Sequence, residues 1–198
     1  MLLQEIHHRV KNNLNIVVSL LNLQAEHIKD VTDAKRSIKV SCDRIYSMAL
    51  VHEKLYQSEN IAFIDIESYA DTILDELIAI YGAHLELDLD LQIDAIELKI
   101  TQAVPCGLIL NELITNSLIH AFPDRTKGRI AIHFHSLDDS RYQLIYQDDG
   151  IGFDGGEVIT DDLESLGLRL IQILSEQLGG DPVFEGRGGF RFQLVIEK

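Results

Sequence analysis

From Leu2 to Lys29 the chain contains neither glycine nor proline, and Leu3, Val10, Leu14, Val17, Leu21 and Ile28 recur at spacings of three, four and seven. That periodicity marks one face of a helix. A polar break, Lys29-Asp30-Val31-Thr32-Asp33, precedes a second stretch without either breaker, in which Ile38, Cys42, Ile45, Ala49, His52 and Leu55 keep heptad-like steps. Thr32 or Asp33 supplies the side-chain oxygen that an N-cap requires. Two long helices joined by so short a connection run antiparallel. At ~100° per residue the apolar residues of the first helix cover well over half of its circumference, more than one partner helix can hide. The hairpin is therefore expected to self-associate, most simply as a four-helix bundle made by a homodimer.

After Glu59-Asn60 the pattern changes. Ile66 to Tyr81 reads as an amphipathic helix ended by Gly82, and Leu85 to Ile93 alternates apolar with acidic residues as a strand does. A helix is expected around Ala103 to His120, with Pro105 tolerable only in its first turn. Strands at Arg129 to His135 and Tyr142 to Gln147 lead into the glycine-rich DDGIGFDGG; a helix from Leu166 to Leu178 stops at Gly179-Gly180, and strands at Pro182 to Glu185 and Phe190 to Ile196 close the chain. Strands and helices mixed in this way predict an α/β sandwich with one helical face. The expected class is α+β, with a helical hairpin over 1–59, a link or hinge over 60–65 and the sandwich over 66–198. Charge divides at the same place, net +1 over residues 1–59 and net −16 over residues 60–198, as two separate units would.

With 46% apolar residues the chain can bury a core of its own. A net charge of −15 argues against nucleic acid as a partner, since that affinity comes from Lys and Arg on phosphates. The longest apolar runs, such as Ile16 to Leu21 and Ile73 to Tyr81, fall well short of the roughly 18 to 20 residues of a membrane span. The N-terminus places His, Arg and Lys where a signal peptide would be apolar, so a cytoplasmic location is expected. Cys42 and Cys106 match neither a disulfide framework nor a zinc spacing and read as two small buried hydrophobes.

On the first helix His8 falls near the middle of a narrow polar arc shared with Lys11, Asn12, Asn15, Ser19, Asn22 and Glu26, whereas His7 falls at the apolar edge. His8 is thus either an ordinary exposed histidine or a nucleophile that projects toward a reaction partner. Three further clusters bear on the choice. In Asn111-Glu112-Leu113-Ile114-Thr115-Asn116 the i, i+4 spacing puts Glu112 and Asn116 on one helix face. The carboxylate could orient an attacking group and the amide oxygen could bind Mg²⁺ that bridges phosphates, although such pairs are also common on solvated helices. Asp148-Asp149-Gly150-Ile151-Gly152 follows a strand; its glycines allow close backbone approach, and its first Asp can accept a hydrogen bond from an exocyclic amine such as that of adenine. Ser165-Leu166-Gly167-Leu168 opens a helix, whose N-terminal amides suit phosphate. A glycine cluster alone is ordinary turn chemistry, but the three clusters in order, two of them with glycine, are harder to dismiss.

EIHHRVKNNLNIVVSLLNLQ followed by RIYSMALVHEKLYQ resembles the dimerisation and phosphoacceptor hairpin of histidine kinases related to the HWE group, whose core His-Arg-x-x-Asn is met by His8, Arg9 and Asn12. GLILNELITNSLIHAFP resembles the N box of the Bergerat (GHKL) ATP-binding fold shared with gyrase and Hsp90 ATPases, and DDGIGF and SLGLRLI resemble its two glycine boxes. The likeness spans almost the whole chain, with the motifs in the family's order.

That resemblance implies an autophosphorylating protein histidine kinase of a two-component system with ATP and Mg²⁺ as cofactors. His8 would accept the γ-phosphoryl group beside Asn12, Asn116 would bind Mg²⁺, and Asp148 would hold adenine. Gly150, Gly152 and Gly167 would shape the pocket and its lid, together with Leu168. Glu112 matches the carboxylate that these ATPases use to activate a nucleophile. Related sequences carry a basic residue just before the histidine that follows the N box, where this chain has Ile119, so phosphate charge falls to His120, Mg²⁺ or Arg169. The phosphoryl group would pass on to an aspartate of a response-regulator receiver domain. An ATP-binding regulatory scaffold, or a response-regulator phosphatase with little autokinase activity, uses the same pocket without the transfer.

Overall fold

A computed structural model describes Ile38, Cys42, residues 63–153 and residues 166–198. The chain divides into two compact units, Met1–Leu50 and Val51–Lys198. In the first, Ile38 and Cys42 are helical and exposed, which corrects the expectation that both cysteines are buried. They are apolar positions of the heptad stripe one turn apart, and a single chain leaves them uncovered. Cys106 does fit the expectation and is buried. The rest of the expected hairpin lies outside the described residues.

The first described element of the second unit is strand β1 (Phe63–Asp65), formed by the last three residues of the expected link. Asp65 then caps helix α1 (Ile66–Tyr81), its carboxylate accepting from the Glu67 amide at 3.0 Å. Ile66, Tyr69, Ala70, Ile73, Leu74 and Leu77 are the buried positions of α1, a helical spacing that gives one apolar face. Gly82 ends it, donating its amide to the Ile78 carbonyl at 2.8 Å. Strand β2 (Glu86–Ile93) follows, then β3 (Glu97–Lys99), which pairs antiparallel with β1 and matches the buried Ile64 with the buried Leu98.

Helix α2 (Ile100–Asn116) starts three residues before its expected first turn, so Pro105 lies inside it. Proline there removes the hydrogen bond that the Thr101 carbonyl would receive; Thr101 is exposed, which leaves that oxygen to water. Every residue from Pro105 to Ile114 is buried, because α2 packs against both α1 and helix α3 (Leu166–Gln177). The expected run of helix to His120 is interrupted at Ser117, where a π-helical turn takes over through Ala121.

Among the described residues the main sheet holds five strands in the order β2-β4-β5-β7-β6, with β4 (Lys127–Ser136), β5 (Arg141–Asp148), β6 (Val183–Glu185) and β7 (Arg191–Glu197). Only β2 and β4 are parallel, and the stretch that joins them contains β3 and α2, the long crossover that parallel pairing requires. Alternation sends Ile130, Ile132 and Phe134 of β4, Leu144 and Tyr146 of β5, and Phe192, Leu194 and Ile196 of β7 into the core. The other face carries polar residues such as Arg129, His133 and Gln147. The expected sandwich with one helical face is what these residues build.

Candidate functional site

The alternation that buries Leu144 and Tyr146 also buries Asp148, the last residue of β5, opposite Ile130 of β4. A carboxylate at a core position needs compensating partners, and that of Asp148 accepts three hydrogen bonds. Its Oδ2 accepts from the Ser117 hydroxyl at 2.5 Å, and its Oδ1 accepts from the amides of Gly150 at 2.9 Å and Phe190 at 3.1 Å. Its own amide donates to the Phe190 carbonyl at 2.9 Å. Tyr146 donates to the Ser117 hydroxyl at 2.7 Å, so the hydroxyl can pass its proton only toward Asp148. Burial pushes the Tyr146 phenol far above its ordinary range, against the opposing pull of its bond to Ser117, and keeps it a donor at any working pH.

The N box and the first glycine turn meet at this carboxylate. Ser117 directly follows Asn116, a half-buried residue that ends α2, one turn beyond Glu112. Glu112 is 3% exposed, which removes the reading of Glu112 and Asn116 as a solvated surface pair. His120 is exposed on the π-helical turn, and the next residue, Ala121, accepts the Ile151 amide at 3.0 Å. Any side chain at Gly150 would run into Ala121. Gly152 takes a φ of 66°, and a Cβ there would strike the backbone carbonyl of Gly186. Those two glycines permit the turn to lie between the π-helical turn and the β6–β7 loop.

Gly167 is buried near the start of α3, Leu168 is half-buried and Arg169 exposed, with α3 joined to this region through its packing on α2. His8 and Asn12 lie outside the described residues. Among the described residues no three His, Cys, Asp or Glu side chains group closely enough to hold a metal.

Ser117 and Tyr146 escape sequence reasoning because each reads as filler, a small polar residue ending a helix and an aromatic residue in a strand. The β6–β7 loop, Gly186-Arg187-Gly188-Gly189, is missed too, although three glycines in four residues exceed what a connection between strands needs. The second carboxylate of the turn, Asp149, is also part of the site's frame. It binds the Arg125 guanidinium at 2.7 Å and the Arg129 amide at 2.7 Å. Partial burial works to raise the Asp149 carboxyl, but these two donors prevail and hold it below the usual carboxylate range.

Comparison with known proteins agrees with this geometry. The HisKA_2 family model, described as histidine kinase, matches residues 5–81. The sensor histidine kinase PdtaS of Mycobacterium tuberculosis is 30% identical over 185 residues, covering 90% of this chain and 35% of that protein. The chain thus spans about a third of the length of this relative. The histidine kinase domain of the Erythrobacter litoralis EL346 blue-light activated histidine kinase superposes with a TM-score of 0.66 at 22% identity, covering 92% of this chain and 95% of that one. Full-length ShkA, solved in complex with AMPPNP, superposes with a TM-score of 0.54 at 16% identity over 98% of this chain and 45% of that one. At these identities the two structures show a shared fold.

Proposed function

We propose that this chain, which matches the HisKA_2 histidine kinase model over residues 5–81, binds ATP around Asp148 and moves the γ-phosphoryl group to His8. The observation that carries the reading is the buried Asp148 carboxylate, held by three donors at the junction of the N box and the first glycine turn. A carboxylate fixed in this way cannot hydrogen-bond freely to water, and its remaining lone-pair capacity suits one exocyclic amine. Hydrophobic neighbours and excluded water strengthen such a contact.

In this reading residues 1–59 form the dimerisation and phosphoacceptor hairpin, 60–65 the link and 66–198 the ATP-binding domain. Gly150 and Gly152 admit the nucleotide's close approach, and Gly167, Leu168 and Arg169 would face phosphate from the start of α3 with His120 opposite. Asn116 would hold Mg²⁺, which when bound offsets charge on the phosphates. Glu112, buried one turn before, orients the Asn116 side of the pocket or the incoming imidazole. The neutral His8 ring, steadied by Asn12, attacks the γ-phosphorus in line as the bond to the ADP oxygen breaks, and little beyond placement is asked of the protein. The second step hands the phosphoryl group to an aspartate of a response-regulator receiver domain. A homodimer through the hairpin and a cytoplasmic setting complete the proposal; among the described residues no helix is long and apolar enough to cross a membrane.

Incubation with γ-labelled ATP and Mg²⁺ tests it. Label should enter the protein in an acid-labile, base-stable form and be absent from His8→Gln, which should still bind nucleotide. Label on the His8→Gln chain would move the acceptor elsewhere, His7 first. Ile119, 44% exposed beside His120, brings no charge to phosphate and favours the second reading of a scaffold or phosphatase. That reading predicts nucleotide binding with no label on wild type.

A further inference from the structure

We propose that Arg125 is a positioning residue for the adenine-facing carboxylate: by clamping Asp149 it fixes the peptide that holds Asp148, and so sets the affinity and base preference of the nucleotide pocket. The inference deepens the nucleotide reading above and rests on it.

Residues 122–126 form a tight return between the π-helical turn and β4. Asp124 adopts a φ of 59°, and the Arg125 amide donates to the Phe122 carbonyl at 3.3 Å. Phe122 is 4% exposed, and its ring lies so close to Gly128 that any side chain there would collide with it. The Arg125 guanidinium is carried on that anchored ring, its Cζ 5.3 Å from the centroid, a cation–π support that limits where the fork can point. Nη1 then donates to the Asp149 carbonyl and Nη2 to its Oδ2, each at 2.7 Å. From the other side Arg129 of β4 donates its amide to Asp149 Oδ1 at 2.7 Å and accepts the Asp149 amide on its carbonyl at 3.2 Å.

The consequence lies in one peptide plane. The Asp149 carbonyl and the Gly150 amide belong to the same planar, trans unit, so their C=O and N–H point in opposite directions. Arg125 grips the carbonyl, and the Gly150 amide donates to Asp148 Oδ1 at 2.9 Å. Turning the carbonyl away would swing that amide off the carboxylate. Asp148 Oδ1 would then keep only the Phe190 amide at 3.1 Å, one donor instead of two, and lose the orientation that an adenine amine needs. The Arg125 and Asp149 side chains are 40% and 46% exposed, a setting in which an ion pair contributes little to folding. Its main effect is therefore orientation. Lysine has a charge but no fork, and can hold only one of the two oxygens in place.

The test uses the full chain and compares equilibrium affinities for Mg–ATP and Mg–GTP in wild type, Arg125→Met, Arg125→Lys and Arg141→Met. GTP carries a carbonyl where ATP carries the exocyclic amine, so a well-placed Asp148 prefers ATP. Arg141 makes a similar paired contact with Asp138 at the β4–β5 hairpin and controls for loss of a surface ion pair. Arg125→Met should weaken ATP by roughly fivefold or more while leaving GTP nearly unchanged, the scale of one charge-assisted contact partly screened by solvent. Arg125→Lys should fall between, and Arg141→Met should behave as wild type. Wild-type ATP affinity in Arg125→Met, or an equal loss for both nucleotides, would overturn the clamp and leave the pocket standing. A wild type that binds neither nucleotide, or shows no preference for ATP, would instead bring down the nucleotide reading and the clamp with it.

Discussion

Asp148 draws its role from a clash between residue type and position, a charged side chain at a place where β5 points inward. Such a group is tolerable only with its lone pairs engaged, and Ser117, Gly150 and Phe190 engage them. Asp148→Asn keeps the shape but turns one acceptor into a donor facing the Ser117 hydroxyl. It should weaken ATP binding about tenfold or more, the scale of a lost hydrogen bond to a charged group, and calorimetry reads this directly. Gly150→Ala places a methyl against Ala121 and should cost about 1–3 kcal/mol of stability, as overpacking does, which chemical denaturation measures. The two cysteines should separate by reactivity. Burial pushes the Cys106 thiol up to about 12, whereas Cys42 is exposed. A thiol reagent at mildly alkaline pH should therefore label Cys42 in the monomer, more slowly where a second chain covers the stripe, and reach Cys106 only on unfolding, as peptide mass spectrometry would show.

At the level of elements, strong periodicity made most of the sheet and all three described helices legible before any coordinates. β4, β5 and β7 alternate cleanly because one sheet face is covered, and the apolar spacing in α1 announces a half-buried helix. What could not be read was set by tertiary contact. β1 and β3 are three residues each, too short to carry a pattern, and exist by pairing with one another. Pro105 pointed to a later start of α2 because its cost in isolation is high, whereas inside the sandwich the packing of α2 on two helices outweighs a single missing hydrogen bond. The π-helical turn and the Arg125 return have no sequence signature, so the partners of Asp148 and Asp149 stayed hidden while the carboxylates themselves stood out. The joint between the return and the glycine turn also predicts a pH response. The Asp149 carboxyl sits lower in the fold than in the unfolded chain, so its contribution is present above the ordinary carboxylate range and fades as pH falls through the depressed folded value. Acid titration of the Arg125→Met chain, followed by circular dichroism, should show a shallower loss of stability below about pH 4 than wild type.

At the scale of the whole molecule, the proposed function gives the nucleotide to the sandwich and the acceptor to a helical segment, and the charge division between residues 1–59 and 60–198 falls at the same place. A chain so acidic in its nucleotide unit would repel polyphosphate unless local donors and Mg²⁺ compensate. Raising ionic strength should thus improve ATP binding modestly, and removing Mg²⁺ with a chelator should weaken it far more than salt can restore. The central claim is that the phosphoryl group leaves a nucleotide held by Asp148 and arrives on His8. Mapping the phosphorylated residue by mass spectrometry, under alkaline conditions that preserve phosphohistidine, tests it most directly when wild type is compared with Asp148→Asn. The account predicts modification at His8 in wild type and its near loss in the variant; modification at another residue, or undiminished modification of His8 without the Asp148 carboxylate, would contradict it.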